Sequence, residues 1–312
     1  MKKNNKIYFW ACDYCNISGE GILAKLFIKE YLKKKPNSIF VNIAKNNKFQ
    51  KRDNFIKNRN QFNGIVHKYF FPYLGLLNLW IYFFNSKKIC YINYLPLWNF
   101  LIFFLVPPET ILGPITGTIQ KKKNYWLINL FEKISLIIIK MRFKEIIFSI
   151  NFFVKKYSFK KQKVISNFIL KNIQFNKKNP KKKFDFIIYH RNISPLNTKY
   201  IYETINILKT YKYSFAVIGD RINFPGNKNF GYVSRKKAQK IISESKFAIS
   251  NPENLFSFFV QDCLSYELKI FYNIFFKKFN SIKTKNLIPI SFESVKKDVK
   301  IILKIIKNKK HT

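Results

Sequence analysis

The sequence predicts an α/β protein built as two doubly wound, parallel-sheet domains in tandem, and three observations predict it. Apolar strand-like runs alternate with segments of helical period along most of the chain. One stretch rich in Lys, Asn and Pro, Phe175 to Lys183, has no apolar period and interrupts that alternation. The length, 312 residues at 47% hydrophobic, exceeds what one ordinary core needs and suffices for two.

The elements follow in order. Ile7 to Ala11 is β-rich and apolar, and a polar turn runs from Asp13 to Gly21. In ILAKLFIKEYLKK, Ile22, Leu23, Leu26, Phe27 and Tyr31 fall at helical spacing, giving strand, glycine-bearing loop and helix. Ser38 to Ile43 and Ile89 to Tyr94 read as strands, and Ile111-Leu112 leads into a turn over Gly113 to Gly117. Tyr125 to Met141 is helical, and Glu145 to Ser149 and Lys163 to Asn167 are strand-like. After the interruption, Phe184 to His190 restarts with a buried-strand pattern. A helix over Tyr200 to Tyr211 and a strand over Ser214 to Gly219 follow. Arg235 to Ser245 (helix), Phe247 to Ser250 (strand), Leu255 to Ser265 (helix) and Lys269 to Tyr272 (strand) continue the alternation. The last helix, Ser294 to Lys307, carries Val295, Val299, Ile302, Leu303 and Ile306 on one face.

These patterns give a first Rossmann-like domain over residues 1–170, a linker over 171–183, and a second Rossmann-like domain over 184–293. A C-terminal helix over 294–312 could pack back towards the first domain. Two such domains are expected to face one another across a cleft at their strand carboxyl ends, where open α/β sheets bind ligands.

The formal net charge is +42, carried by 58 Lys and Arg of which six are Arg. Plentiful Lys, Asn, Ile, Phe and Tyr with few Gly is what an AT-rich coding sequence imposes, so part of this charge is background. The remainder attracts polyanions: nucleic acid, anionic lipid or phosphorylated substrates. Sequence-specific nucleic-acid readers favour the bidentate Arg fork, so scarce Arg favours an anionic membrane surface and phosphate ligands. Nucleic acid is the less expected partner.

Cys12 and Cys15 form a C-x-x-C, but no second ligand pair accompanies it and none of His67, His190 and His311 is near in sequence, so no metal is expected. The apolar run after Met1-Lys2-Lys3 is too short and interrupted for a leader. Two uncharged stretches, Tyr69 to Ser86 and Ile89 to Pro108, approach the roughly 20 residues of a bilayer span. Pro72, Gly75 and Asn78 in the first, and Asn93, Pro96, Asn99 and Pro107-Pro108 in the second, favour buried or membrane-dipping segments. The second should break into strand, turn and short helix.

Glu253 and Asp262 stand at the start of, and within, the helix expected after Phe247 to Ser250. On position alone they read as a capping Glu, at a helix end that favours anions, and a solvent-facing Asp. The wider run changes that reading: AVIGD from Ala216, then FGYVSRKKAQKIISESKFAIS, then NPENLFSFFVQDCLSYELKIFY. It resembles the donor-binding domain of family 4 nucleotide-sugar glycosyltransferases. That family shows a strand ending in Gly, a Gly-x-Val before a helix, a further strand and a Glu-x(7)-Glu motif. Here the spacing is one residue longer, the second acid is Asp, and Glu-Gly-Phe-Gly has become Glu-Asn-Leu-Phe.

The resemblance implies a GT-B fold and transfer of a sugar from a nucleotide-diphosphate donor, with retention of configuration and without a metal or cofactor. It gives Glu253 the catalytic place by the donor sugar and diphosphate, Asp262 the ribose, and Asn254 a place in the donor site beside Glu253. Arg191, with Lys199 further on, takes the place of the cations that neutralise the donor diphosphate. In the first domain SGEGILAK, Ser18 to Lys25, resembles the glycine loop of the family's acceptor side, which puts Gly19, Glu20 and Gly21 there. ILGPITG resembles the Trp-Gly-Pro-x-Gly-Gly turn of several lipopolysaccharide glycosyltransferases and adds Gly113. KVISNFIL, Lys163 to Leu170, resembles the exit from the first domain.

The expectation is therefore a glycosyltransferase acting on a cell-surface polysaccharide or lipid-linked acceptor, peripheral on the cytoplasmic face of the cell membrane. Trp80, Trp98 and the Phe/Tyr clusters suit that interface. His67 and His190 are candidate bases, equally readable as structural. Two alternatives stay open: a non-catalytic GT-B-like scaffold, and a basic nucleic-acid-binding protein. Against the latter, the aromatics lie within apolar periodic runs rather than among the cations.

Overall fold

The computed structural model describes residues 5–11, 19–43, 64–116, 126–148, 159, 163–165, 180–192, 195–222, 228–252, 255–279, 282 and 284–308. The chain divides into two compact units, Met1–Phe168 and Ile169–Thr312.

In the first unit the described elements are β1 (Asn5–Trp10), α1 (Gly19–Lys34), β2 (Ser38–Asn42), α2 (Gly64–Phe84) and β3 (Lys88–Pro96). They continue with α3 (Phe100–Leu105), β4 (Ile111–Thr116), α4 (Trp126–Arg142), β5 (Glu145–Phe148) and β6 (Lys163–Ile165). The strands form one parallel sheet in the order β2-β1-β3-β4-β5-β6. The chain steps one way from β1 to β2 and the other way from β2 onward. Right-handed crossovers therefore put α1 on one face and α2, α3 and α4 together on the other. Phe9, Trp10, Tyr91, Phe103, Phe143 and Phe148 are fully buried in this core. The helix α2 crosses the sheet closely at Gly75, where a Cβ would lie 2.2 Å from Nε1 of Trp10. Among the described residues no helix is long and apolar enough to cross a membrane.

Residues 89–108 divide as expected into strand, turn and short helix. The turn expected at Gly113 is instead the middle of β4. Gly113 has φ +150°, and a Cβ there would meet the Cβ of Ile147 at 2.5 Å. The register of β4 against both neighbours shifts beside it, so the glycine accommodates a bulge rather than ending the strand.

The second unit runs β7 (Phe184–His190), α5 (Pro195–Thr210), β8 (Phe215–Gly219), β9 (Lys228–Gly231), α6 (Arg235–Ser243) and β10 (Ser245–Ile249). It continues with α7 (Phe258–Ser265), β11 (Lys269–Asn273), a 3-10 helix (Ile274–Phe279), β12 (Leu287–Ile290) and α8 (Val295–Asn308). All pairings are parallel, in the order β12-β11-β10-β7-β8-β9. Strand order reverses between β7 and β10, which is the switch point of the sheet. Neither β9 nor β12 stands out in the sequence: β9 is the half-exposed KNFG and β12 contains Pro289.

The apolar face of α8, Val295, Val299, Ile302 and Ile306, is used within this unit, in one cluster with Tyr200, Ile201, Ile205 and Leu208 of α5. Asp298 on the same helix is buried and accepts four hydrogen bonds. They come from Tyr200 Oη (2.6 Å), Ser291 N–H (2.8 Å), Ser291 Oγ (2.9 Å) and Phe292 N–H (2.8 Å). The Tyr200 hydroxyl is held far above its usual range, first by burial and then by Asp298. Before β7, Lys182 donates to the Ser243 carbonyl, and Lys183 pairs with Glu244 at 2.8 Å.

Candidate functional site

At the switch point of the second sheet, β7 ends in His190-Arg191-Asn192 and β8 in Gly219-Asp220. Gly219 has φ +97°, and a Cβ there would lie 2.2 Å from the His190 carbonyl oxygen. Only glycine fits where these two strand ends close on each other. The Asp220 N–H then donates to the His190 carbonyl at 3.0 Å, and its carboxylate accepts from the Asn192 N–H at 2.7 Å. The other carboxylate oxygen accepts from the Tyr232 hydroxyl at 2.8 Å, just beyond β9. Asn192 in turn accepts from Thr198 Oγ1 of α5 at 3.0 Å. Asp220 therefore ties together the ends of three adjacent strands.

The electrostatics follow from this network. Burial raises the Asp220 pKa. The Asn192 and Tyr232 hydrogen bonds and the charges of His190 and Arg191 outweigh it and hold the carboxyl below its usual range. The Tyr232 hydroxyl is pushed up to about 12 by burial and by donation to Asp220. His190, only 3% exposed, has its pKa lowered by burial, opposed by Asp220. Arg191, beside them in sequence between His190 and Asn192, is exposed.

On the other side of the switch point β10 ends at Ser250-Asn251-Pro252, where Ser250 and Asn251 are buried. Asn273, at the end of β11, holds this turn by donating to the Pro252 carbonyl at 3.1 Å. Glu253 and Asn254 lie outside the described residues. Glu253 was expected at the helix N-terminus. Instead α7 begins at Phe258, capped by Ser257, whose Oγ accepts from the Val260 N–H. A Ser with extended backbone is the stronger cap, and it starts the helix five residues beyond Glu253.

Asp262 is buried inside α7 and its carboxylate is taken up by α6. Arg235 meets it as a fork, Nε to Oδ2 at 3.1 Å and Nη2 to Oδ1 at 2.7 Å, and Gln239 adds a bond at 3.0 Å. The Arg235 guanidinium also lies 4.9 Å from the Phe258 ring centroid and bonds Gln261. Lys199 is in the first turn or two of α5, which starts at Pro195. It is exposed and 3.9 Å from Glu203. The structure thus brings His190, Arg191 and Asn192 together with Asp220 and Tyr232, and it places Asp262 with Arg235.

Among the first-unit candidates, Gly19, Glu20 and Gly21 form the first turn of α1 rather than the loop before it. Gly113 is inside β4. His67 falls in α2 without a described side chain, and Cys12, Cys15 and His311 lie outside the described residues. Sequence reasoning missed Arg235, Asp220 and Tyr232. Arg235 carried a signal, being one of six Arg in a chain whose cations are nearly all Lys. Asp220, the acid after a strand-ending Gly, carried a weaker one.

No protein-family model and no curated protein matches the chain by sequence. Solved structures match it by fold. A Listeria monocytogenes protein named as a UDP-N-acetylglucosamine 2-epimerase superposes with TM-score 0.52 at 9% identity, over 98% of this chain and 88% of its own. MnaA of S. aureus, solved with UDP, gives 0.48 at 10% identity over 96% and 86%. The heptosyltransferase WaaC of E. coli, solved with ADP, gives 0.39 at 9% identity over 97% and 99%. Of the fold class expected from the sequence, two Rossmann-like doubly wound domains of the GT-B type, the two parallel-sheet α/β domains are found.

Proposed function

We propose that the chain is a glycosyltransferase that takes a sugar from a nucleotide-diphosphate donor held on the second unit. The observation that carries this reading is the network at the carboxyl ends of β7, β8 and β9. There Asp220 fixes the loop bearing Arg191 beside the switch point, where sheets of this class bind ligands. A diphosphate placed there meets the Arg191 guanidinium and the entrance of α5, both of which favour negative charge. The resemblance to family 4 adds Glu253 at the donor sugar, Asn254 beside it, and Lys199 as a second cation. It also supports retention of configuration and a metal-independent reaction.

Arg191 stabilises the charge that develops on the leaving nucleoside diphosphate. Asp262 has a role beyond the resemblance: paired with Arg235, it fixes α7 against α6. The acceptor end of the reading, a cell-surface polysaccharide or lipid-linked saccharide on the cytoplasmic side of a membrane, follows from the first-domain resemblances and the charge.

The test is a turnover assay over a panel of nucleotide sugars. It follows release of nucleoside diphosphate, with and without EDTA, and determines the anomeric configuration of the product. Release from one donor, indifferent to EDTA and reduced at least about a hundredfold by Glu253→Gln, is expected. Interconversion of the donor sugar without net release would instead indicate an epimerase on the same fold. No turnover of any donor would favour the non-catalytic scaffold.

A further inference from the structure

The helices α2, α3 and α4 form one layer on one face of the first sheet, and the outward side of that layer is apolar. The layer is continuous. Trp80 Nε1 of α2 donates to the Leu105 carbonyl of α3 at 2.8 Å, and Phe100 of α3 lies 5.1 Å from Phe131 of α4, ring centre to ring centre. Arg142, at the end of α4, donates to the Phe104 and Val106 carbonyls that close α3.

Each helix buries one stripe and exposes another of the same kind. On α2, Leu77, Ile81 and Phe84 are 60–76% exposed and share one face by their spacing. On α3 the outward residues are Leu101 and Phe104. On α4, Trp126, Leu130, Ile137 and Met141 return to one side within about a sixth of a turn. From Tyr73 to Ser86 no charged residue interrupts α2. Isolated exposed hydrophobics need no explanation, but a surface contributed in register by three adjacent helices does.

Charge identifies the occupant. Lys87 follows α2, Lys133 and Lys140 flank the apolar stripe of α4, Arg142 ends that helix and Lys144 follows it. Lysine is depleted at the core of protein–protein interfaces, whereas a cationic rim around an apolar centre suits an anionic leaflet. Of the four Trp, Trp10 is buried in the core and the other three, Trp80, Trp98 and Trp126, belong to this layer or its edge. Indoles favour the boundary between headgroups and acyl chains. Three helices side by side, none able to span, present a broad surface for lying on a bilayer.

We propose that the outward face of α2, α3 and α4 docks the first unit onto an anionic lipid bilayer, its apolar stripes entering the interfacial zone and its lysines meeting the headgroups. The proposal stands apart from the donor-site reading, because vesicle binding is measured without any sugar donor.

The full chain is sedimented with vesicles of phosphatidylcholine alone and with about one part in three phosphatidylglycerol. It is compared with Leu77→Glu/Ile81→Glu on α2 and with Ile274→Glu/Ile301→Glu on the second unit, which make the same charge change at exposed positions. Binding to the anionic vesicles is expected, weakened roughly tenfold or more by the α2 pair and little changed by the second-unit pair. Added salt should weaken it without abolishing it. Should the α2 pair fail to fold, judged by circular dichroism, Trp126→Ser/Met141→Ser on α4 takes its place with the same expectation. No binding to anionic vesicles, or equal weakening by both pairs, would overturn the proposal. So would self-association in the absence of lipid, or binding to duplex DNA, that the α2 pair abolishes while vesicle binding persists.

Discussion

Asp262 and Asp298 are both buried acids, and what meets each one decides its role. Asp262 faces a guanidinium fork, so Asp262→Asn leaves Arg235 without its charge partner and should lower stability by roughly 1–3 kcal/mol in urea unfolding. Arg235→Lys should cost a similar amount, because a point charge cannot replace the fork. His190 gives a pH signature. Its folded pKa lies below the ordinary 6.5, so the unfolded chain takes up a proton that the native chain refuses. Its contribution to stability is therefore complete above about 6.5 and is lost as pH falls through the folded value. Chemical unfolding of His190→Asn between about pH 7 and about pH 5 should show a flatter dependence than the parent chain.

At the scale of elements, the buried strands were legible because a parallel sheet writes them as near-continuous apolar runs, as in Phe186 to Tyr189 and Phe215 to Gly219. The ends of elements were not. A glycine that reads as a turn at Gly113 is a bulge, since what it avoids is Ile147, far away in sequence. The start of α7 is set by the Ser257 cap, which an apolar period extending back to Leu255 conceals. Of the candidate site, the strand end carrying His190 and Arg191 was legible. It was hidden where the partner was distant, as with Asp262 and Arg235, 27 residues apart. Between elements, Asp298 joins α8 to α5 and to the turn after β12 through four hydrogen bonds. Asp298→Ala should lower stability by about 2–4 kcal/mol in thermal or urea unfolding, since it strands the buried Tyr200 hydroxyl and leaves two half-buried backbone N–H groups without their acceptor.

For the molecule as a whole, a fold alone does not name a reaction. Two tandem doubly wound units supply a frame, and the proposed chemistry rests on what the second unit places at its switch point. The charge of +42 acts at longer range, favouring polyanions of any kind, and its effect should fall with ionic strength. Arg191 separates a local contact from that general attraction, being exposed and fixed in place by Asp220 through Asn192. The most direct measurement is calorimetric titration of the chain and of Arg191→Ala with a panel of nucleoside diphosphates at near-physiological salt. One diphosphate should bind the parent chain and lose roughly tenfold or more in affinity to the substitution, with the unliganded melting temperature unchanged. If no nucleoside diphosphate binds, or all bind both proteins equally and weaken together with salt, the donor site proposed at the switch point of the second sheet is contradicted.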